Sequence, residues 1–273
     1  MSTLWEFDNV NPRLPYSINQ YIREYDISKA NISVLYHEGV LKKELYDALY
    51  VADKLYREIY IGKMELRDPN ISVIKAEGIK KFRKLFFEYN QLEDNDILCI
   101  KNDAIFVINK QCAYTKFDNV EFLNKNTYTL FMQLGKLEIY YIYDPITNSE
   151  NIDIKGINDM KLEYHRDHII TFLCDIFYKL QNGGIDDAAK CCSQFLENFL
   201  RRELDIGFYR EFNDGCMFRC DTVVSSFYLE YADQSLLKET FMNNGQLQYL
   251  LNSDVNFNLL RDLCQIVFTI RNR

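Results

Sequence analysis

Two aspartates stand where the sequence turns. Asp26 closes Glu24-Tyr25-Asp26-Ile27 before Ser28-Lys29-Ala30-Asn31-Ile32-Ser33, and Asp103 lies in Ile100-Lys101-Asn102-Asp103-Ala104-Ile105-Phe106-Val107. Taken singly, each reads as a helix cap or a turn former. If their strands are neighbours, the two carboxylates can share divalent ions, because hard cations such as Mg²⁺ take carboxylate oxygens and few protein ligands. Two-metal phosphoryl transfer uses such an arrangement. A second set, His165 and His168 with Cys216 and Cys220, is the nearest approach to a zinc motif, but its spacing is loose. These residues read as core and surface groups, and zinc is not expected. A nucleophilic hydrolase finds no Gly-x-Ser-x-Gly, P-loop or clear Cys-His pair to build on.

The 273 residues carry 32 basic and 40 acidic side chains, a formal charge of −8. Nucleic-acid affinity comes from Lys and Arg displacing counterions, so an acidic chain must gather its cations on one face or borrow a partner's. The cations between Lys75 and Lys84 and around Lys155 to Arg166 would have to line one cleft. At 48% hydrophobic, with 20 Tyr and 19 Phe against 4 Pro and 10 Gly, the chain can bury an aromatic-rich core joined by short loops. The eight cysteines, two of them adjacent at Cys191-Cys192, read as free thiols. Residues 1–10 lack the pattern of a signal peptide and no apolar run reaches membrane-spanning length, so a cytoplasmic protein without a membrane partner is expected.

The elements that must position the aspartates follow from periodicity. Leu41, Leu45, Leu49, Ala52, Tyr56 and Ile59 form one helical stripe over residues 40–65, ended by Asp68-Pro69. A second helix spans about 71–89 with Ile74, Ile79, Phe82, Phe86 and Tyr89 inward. Short apolar runs at 97–100 and 104–108 flank a tight polar turn, which reads as a hairpin. Strand-like runs continue at 120–123, 128–134, 137–143 and 152–157. Helical patterns follow at 163–181, 185–202 and 257–270. The fold class is therefore α+β: an antiparallel sheet with flanking helices, followed by an all-helical region, with a boundary near residue 160.

The order of these segments resembles the palm and thumb region of family B DNA polymerases, over about residues 20–212. Asp26 and Ser33 match motif A, Asp-x-x-Ser-Leu-Tyr-Pro-Ser, and Asp103 takes the place of the second aspartate of motif C, with Lys101 replacing the first. Residues 72–78 and 81–87 look like the helix leading into motif C. Asn124-Lys125-Asn126-Thr127-Tyr128 looks like the Lys-Lys-Arg-Tyr strand, and Ile154-Lys155-Gly156-Ile157 with His165-Arg166-Asp167 resembles the elements joining palm to thumb. The two following helices and Glu203-Leu204-Asp205-Ile206 resemble the thumb.

The resemblance implies a palm-like domain over 1–160 with reduced fingers and a thumb-like domain over 161–273. It implies Asp26 and Asp103 as catalytic and Mg²⁺-holding residues, and Lys125, Tyr128, Lys155 and Arg166 as contacts to DNA or RNA. Lys54, Arg57 and Lys63 would meet nucleotide phosphates, and Asn31 stands where the family packs a Tyr under the sugar. Only 77 positions (103 − 26) separate the aspartates, which leaves little room for fingers, and the Asn-Ser-x-Tyr-Gly motif and a preceding exonuclease region are absent from the sequence. Two functions follow: a minimal metal-dependent nucleotidyltransferase in replication, or an inactive polymerase-like subunit that binds nucleic acid or acts as a scaffold. Other subunits would supply fingers or basic surface. The many Asn, Ile, Lys and Tyr residues suggest an AT-rich genome, and a short chain of this kind suits a phage or plasmid.

Overall fold

The computed structural model describes residues 16–134, 137–155, 170–201 and 255–272, with the short pieces 6, 9–10, 203, 211–212, 218–219 and 228–229. The fold is α+β with an antiparallel sheet, but the region expected to be all-helical also holds three two-residue strands, Glu211–Phe212, Phe218–Arg219 and Tyr228–Leu229, paired antiparallel in a second small sheet. Two compact units divide the chain, residues 1–128 and 129–273. The expected boundary near residue 160 lies outside the described residues.

In the first unit the strands are β1 (Asn9–Val10), β2 (Tyr16–Ile27), β3 (Ile97–Lys101), β4 (Ala104–Ile108), β5 (Lys116–Phe117) and β6 (Val120–Leu134), the last crossing into the second unit. They are ordered β1-β3-β4-β2-β6, with β5 on β6. β2 therefore lies between two strands that come much later in the chain. It pairs antiparallel with β4, Ile22 against Ile108 through Asp26 against Ala104. β3 and β4 form the expected hairpin, with a bulge between Ile97 and Cys99. Its two-residue turn places Asn102 at φ 48°, a left-handed conformation that Asn tolerates better than most residues. The two runs expected at 120–123 and 128–134 are one strand.

Four helices cross over between β2 and β3: α1 (Ala30–His37), α2 (Lys43–Val51), α3 (Lys54–Arg67) and α4 (Asn70–Tyr89). The single stripe expected over 40–65 is two helices. Ala52 is extended and the Asp53 side chain accepts the Tyr56 N–H at 2.8 Å, so the chain restarts a helix where an unbroken one was expected. α4 begins after Asp68-Pro69 and ends at Asn90, whose amide donates to Phe86 O and Tyr114 O and accepts from Tyr114 N. Its Ile79, Phe82, Phe86 and Phe87 pack with Val34 against Tyr25, Ile27, Ile105, Val107 and Phe122 of the sheet. Ile74 and Tyr89, expected inward, are exposed; Tyr89 lies edge-on to Tyr114 and Phe117 instead. A smaller core, Ile32, Leu35, Leu41, Leu49, Ile61 and Ile71, ties the four helices together.

In the second unit β6 pairs with β7 (Leu137–Asp144), and β7 with β8 (Ser149–Lys155). β8 starts earlier than expected because Asp144 accepts from Ile146 N and Thr147 Oγ1, which closes the turn at once. A helix over residues 170–178 (α5) runs into a π-turn at Lys179–Gly183, then α6 (Ile185–Arg201). The start expected for α5 at 163 lies outside the described residues. Gln181 bonds both to Tyr143 N and to Tyr143 O, as a strand neighbour would. α7 (Val255–Arg271) packs on α6, and Arg271 Nε reaches Asp186 Oδ1 at 2.7 Å. Cys99, Cys112, Cys174, Cys191, Cys192 and Cys264 are free thiols. No helix of the described residues is long and apolar enough to cross a membrane.

Candidate carboxylate site

The two aspartates meet. Asp26 ends β2 opposite Ala104, and the Ile27 N–H donates to Asp103 O at 3.2 Å, so the hairpin turn docks on the end of β2. The Asp103 carboxyl lies close enough to that of Asp26 for the two to influence each other's charge. Burial first, then the charge of Asp26, push Asp103 up to about 6; Lys125 opposes the shift. Asn102 Nδ2 donates to Asp103 Oδ1 at 3.2 Å and steadies the turn.

β6 brings two more groups. Lys125 Nζ sits 3.1 Å from Asp26 Oδ2. Its ammonium is held above its ordinary pKa by the hydrogen bond and charge of Asp26, with Glu24 and Asp103 adding to the pull. Asn126 Nδ2 donates to Glu24 Oε2 at 2.6 Å, and Glu24 is buried. Glu24 and Asn126 were not among the expected site residues. The available signal was strand alternation, which puts residues i and i+2 on one face and so places Glu24 beside Asp26. Lys101, expected near the metal position, ends β3 in register with Ala104.

The remaining expected residues are dispersed. Asn31 Nδ2 donates to Glu58 Oε2 at 3.0 Å, joining α1 to α3. Arg57 donates to Ala52 O at the end of α2. Lys54 and Lys63 are exposed on α3, nine residues apart and so on opposite sides of it. Tyr128 is buried at 1% exposure, its ring inside the protein. Lys155 lies in the second unit, 3.4 Å from Asp153 and 5.2 Å from the Tyr140 ring centre. Arg166, His165, His168, Cys216, Cys220 and residues 204–206 lie outside the described residues. Lys29, which departs from motif A, has a left-handed backbone (φ 49°), and its Nζ reaches Tyr50 O at 2.6 Å. Burial and the nearby Arg57 lower its pKa. Next to Ser28, a cleft of about 430 Å³ opens between Ser33, Tyr46, Tyr50, Asn119 and Glu121.

The basic stretch of α4 does not form a cationic face. Lys75 pairs with Glu65 at 2.5 Å, Lys80 with Glu77 at 2.9 Å, Lys81 with Glu38 at 3.0 Å and Lys84 with Glu88 at 3.9 Å, while Arg83 is buried. Each of these four lysines meets a carboxylate, so the convergence required by the sequence does not come from this helix.

Asp26 and Asp103 supply hard oxygen donors suited to Mg²⁺, which keeps several waters and needs only one or two carboxylates. Among the described residues, no group of three or more His, Cys, Asp or Glu side chains is arranged to hold a metal ion. No curated protein and no solved structure matches the chain. Over residues 1–259 the sequence matches the family described as Bacteriophage PBS1 gene 130 protein. That span takes in β2, the β3–β4 hairpin and β6, and the chain belongs to this family of bacteriophage proteins.

Proposed function

We propose that the chain is a DNA polymerase-like nucleic-acid protein of phage replication, with the aspartate pair as a metal-holding nucleotidyltransferase centre in a palm-like sheet. The observation that carries this reading is the meeting of Asp26 and Asp103 across β2 and β4 despite their separation in sequence. Asp26 and Asp103 would hold two divalent ions, which would supply a lowered pKa for a primer hydroxyl and a counter-charge for leaving pyrophosphate. The antiparallel sheet with a crossover of helices between the two aspartate strands suits a palm with reduced fingers, and the α5–α6 region suits a thumb. Lys54 or Lys63, on opposite sides of α3, would meet the nucleotide, and Lys155 and Arg166 the nucleic acid.

The neutralised lysines of α4 and the ammonium on Asp26 favour a second reading, an inactive polymerase-like subunit that binds nucleic acid or acts as a scaffold within a larger assembly. In both readings partner subunits supply basic surface or the missing fingers. Primer extension with each dNTP and NTP in Mg²⁺ or Mn²⁺ separates the two. Incorporation that disappears in Asp26→Asn and in Asp103→Asn supports the enzyme. No incorporation by the intact chain, with salt-sensitive DNA or RNA binding retained, supports the subunit.

A further inference from the structure

The outer face of α3 is apolar. Ile61, Tyr60 and Met64 turn inward onto the core of the four helices. On the opposite side Leu55, Ile59 and Leu66 are 70%, 48% and 85% exposed, and Gly62 completes their row. The spacings run four, three and four residues, the alternation that keeps a stripe on one side of a helix and forms the a and d seam of a coiled coil. Among the described residues nothing stands within 4 Å of a Cβ built on Gly62. A glycine inside a helix costs about 1 kcal/mol relative to Ala, and the packing of this chain does not require it here. A second backbone drawn close to the stripe would use that space.

The borders of the stripe select what covers it. Glu58 and Glu65 lie along one side, Lys63 and Tyr56 along the other. With Leu55 and Gly62 at d and Ile59 and Leu66 at a, Glu58 takes position g and Lys63 position e. Both are exposed. In parallel helices a g residue meets the e residue five positions further along the partner, so Glu58 of each copy would meet Lys63 of the other. An antiparallel pair would set glutamate against glutamate. Asn31 Nδ2 donates to Glu58 Oε2 at 3.0 Å, which steadies that carboxylate at the border of the stripe.

We propose that α3 is the contact helix of a two-fold dimer of this chain, in which two Leu55-Ile59-Gly62-Leu66 stripes pack in parallel between two Glu58–Lys63 pairs. The helix is already folded on its own core, so none has to form on association. Two heptads bury little area, and the dimer is weak. It does not depend on the carboxylate site, and it leaves Lys54, opposite Lys63, open to a nucleotide.

The test is sedimentation equilibrium of the full chain from about 10 µM to 1 mM, the range of a small interface, with circular dichroism to check the fold. The weight-average mass of the native chain should rise from that of the monomer toward twice that value. Ile59→Lys, at an exposed position, should keep the fold and stay monomeric. Glu58→Lys and Lys63→Glu should each weaken association about tenfold as like charges meet. An equimolar mixture of these two variants should restore it, because opposite charges then face each other at both borders. A native chain that stays monomeric overturns the proposal and assigns the stripe to a helix of another protein. Association that survives Ile59→Lys overturns this face as the contact, and a mixture no stronger than its components overturns the parallel pairing.

Discussion

Gly78 of α4 and Val34 of α1 approach so closely that a Cβ built on Gly78 would stand 2.3 Å from Val34 Cγ1. Val34 is fully buried and β-branched, so its methyl group has little room to turn away. The contact sets how α1 lies on α4, and α1 starts four residues after Asp26. Gly78→Ala should therefore destabilise the chain by about 1–3 kcal/mol from overpacking, despite the roughly 1 kcal/mol that Ala gains over Gly in a helix. Urea unfolding measures it. Val34→Ala in the same chain should recover part of the loss, and a Gly78→Ala chain more stable than the native one would refute the packing argument.

Asp103 titrates near 6 in the folded chain, above an ordinary carboxyl group. The native state thus keeps a proton that the unfolded chain releases between about pH 4 and 6. Its contribution to stability is present below the unfolded pKa and lost as pH rises through 6. Asp103→Asn should remove that dependence and raise stability at pH 7 by about 1–2 kcal/mol. Unfolding curves from pH 4 to 7.5 decide it; parallel profiles for the two chains would contradict the assignment.

A metal that binds only the folded chain stabilises it by mass action, by about 2.7 kcal/mol at a hundred times its dissociation constant. Mg²⁺ should accordingly raise the melting temperature of the native chain, and EDTA should reverse the rise. Asp26→Asn and Asp103→Asn should not respond. An equal rise in all three chains would place the ion elsewhere.

Asn126 supplies a 2.6 Å hydrogen bond to the buried Glu24 carboxylate. Asn126→Ala removes that donor and should cost about 1–3 kcal/mol, as for a buried charged group losing a partner. Adding Glu24→Gln, which removes the charge, should shrink the penalty. A double-mutant cycle with no coupling would show that the bond contributes nothing.

Periodicity was enough to find α4, the β3–β4 hairpin, β7 and α6, because each is a local pattern with its own stop signal. It joined α2 to α3 because the apolar positions stay in phase across Ala52-Asp53, and only the capping bond of Asp53 shows the break. It split β6 in two because Asn124, Lys125 and Asn126 interrupt the apolar run; two of these residues hold the carboxylates of β2. Asp26 and Asp103 were recognisable as turn carboxylates. Glu24 was not, since a charge inside a strand reads as its solvent face until the neighbouring strand is known. The lysines of α4 read as a solvated helix face, but their pairing was not legible, because glutamate partners come from Glu38 and Glu65 as well as from the helix itself.

The position of β2 between β4 and β6 has a consequence for synthesis. β2 is made first, and both neighbours emerge roughly 80–100 residues later, about 4–20 s at ordinary translation rates. For that interval a twelve-residue strand has two open edges, a template for pairing with other chains. Its Arg23, Glu24 and Asp26 break up the apolar run, and charges so placed guard nascent strands against aggregation. The residues that build the carboxylate site thus protect the strand before the site exists, and neutralising them should lower the yield of soluble protein as well as any activity.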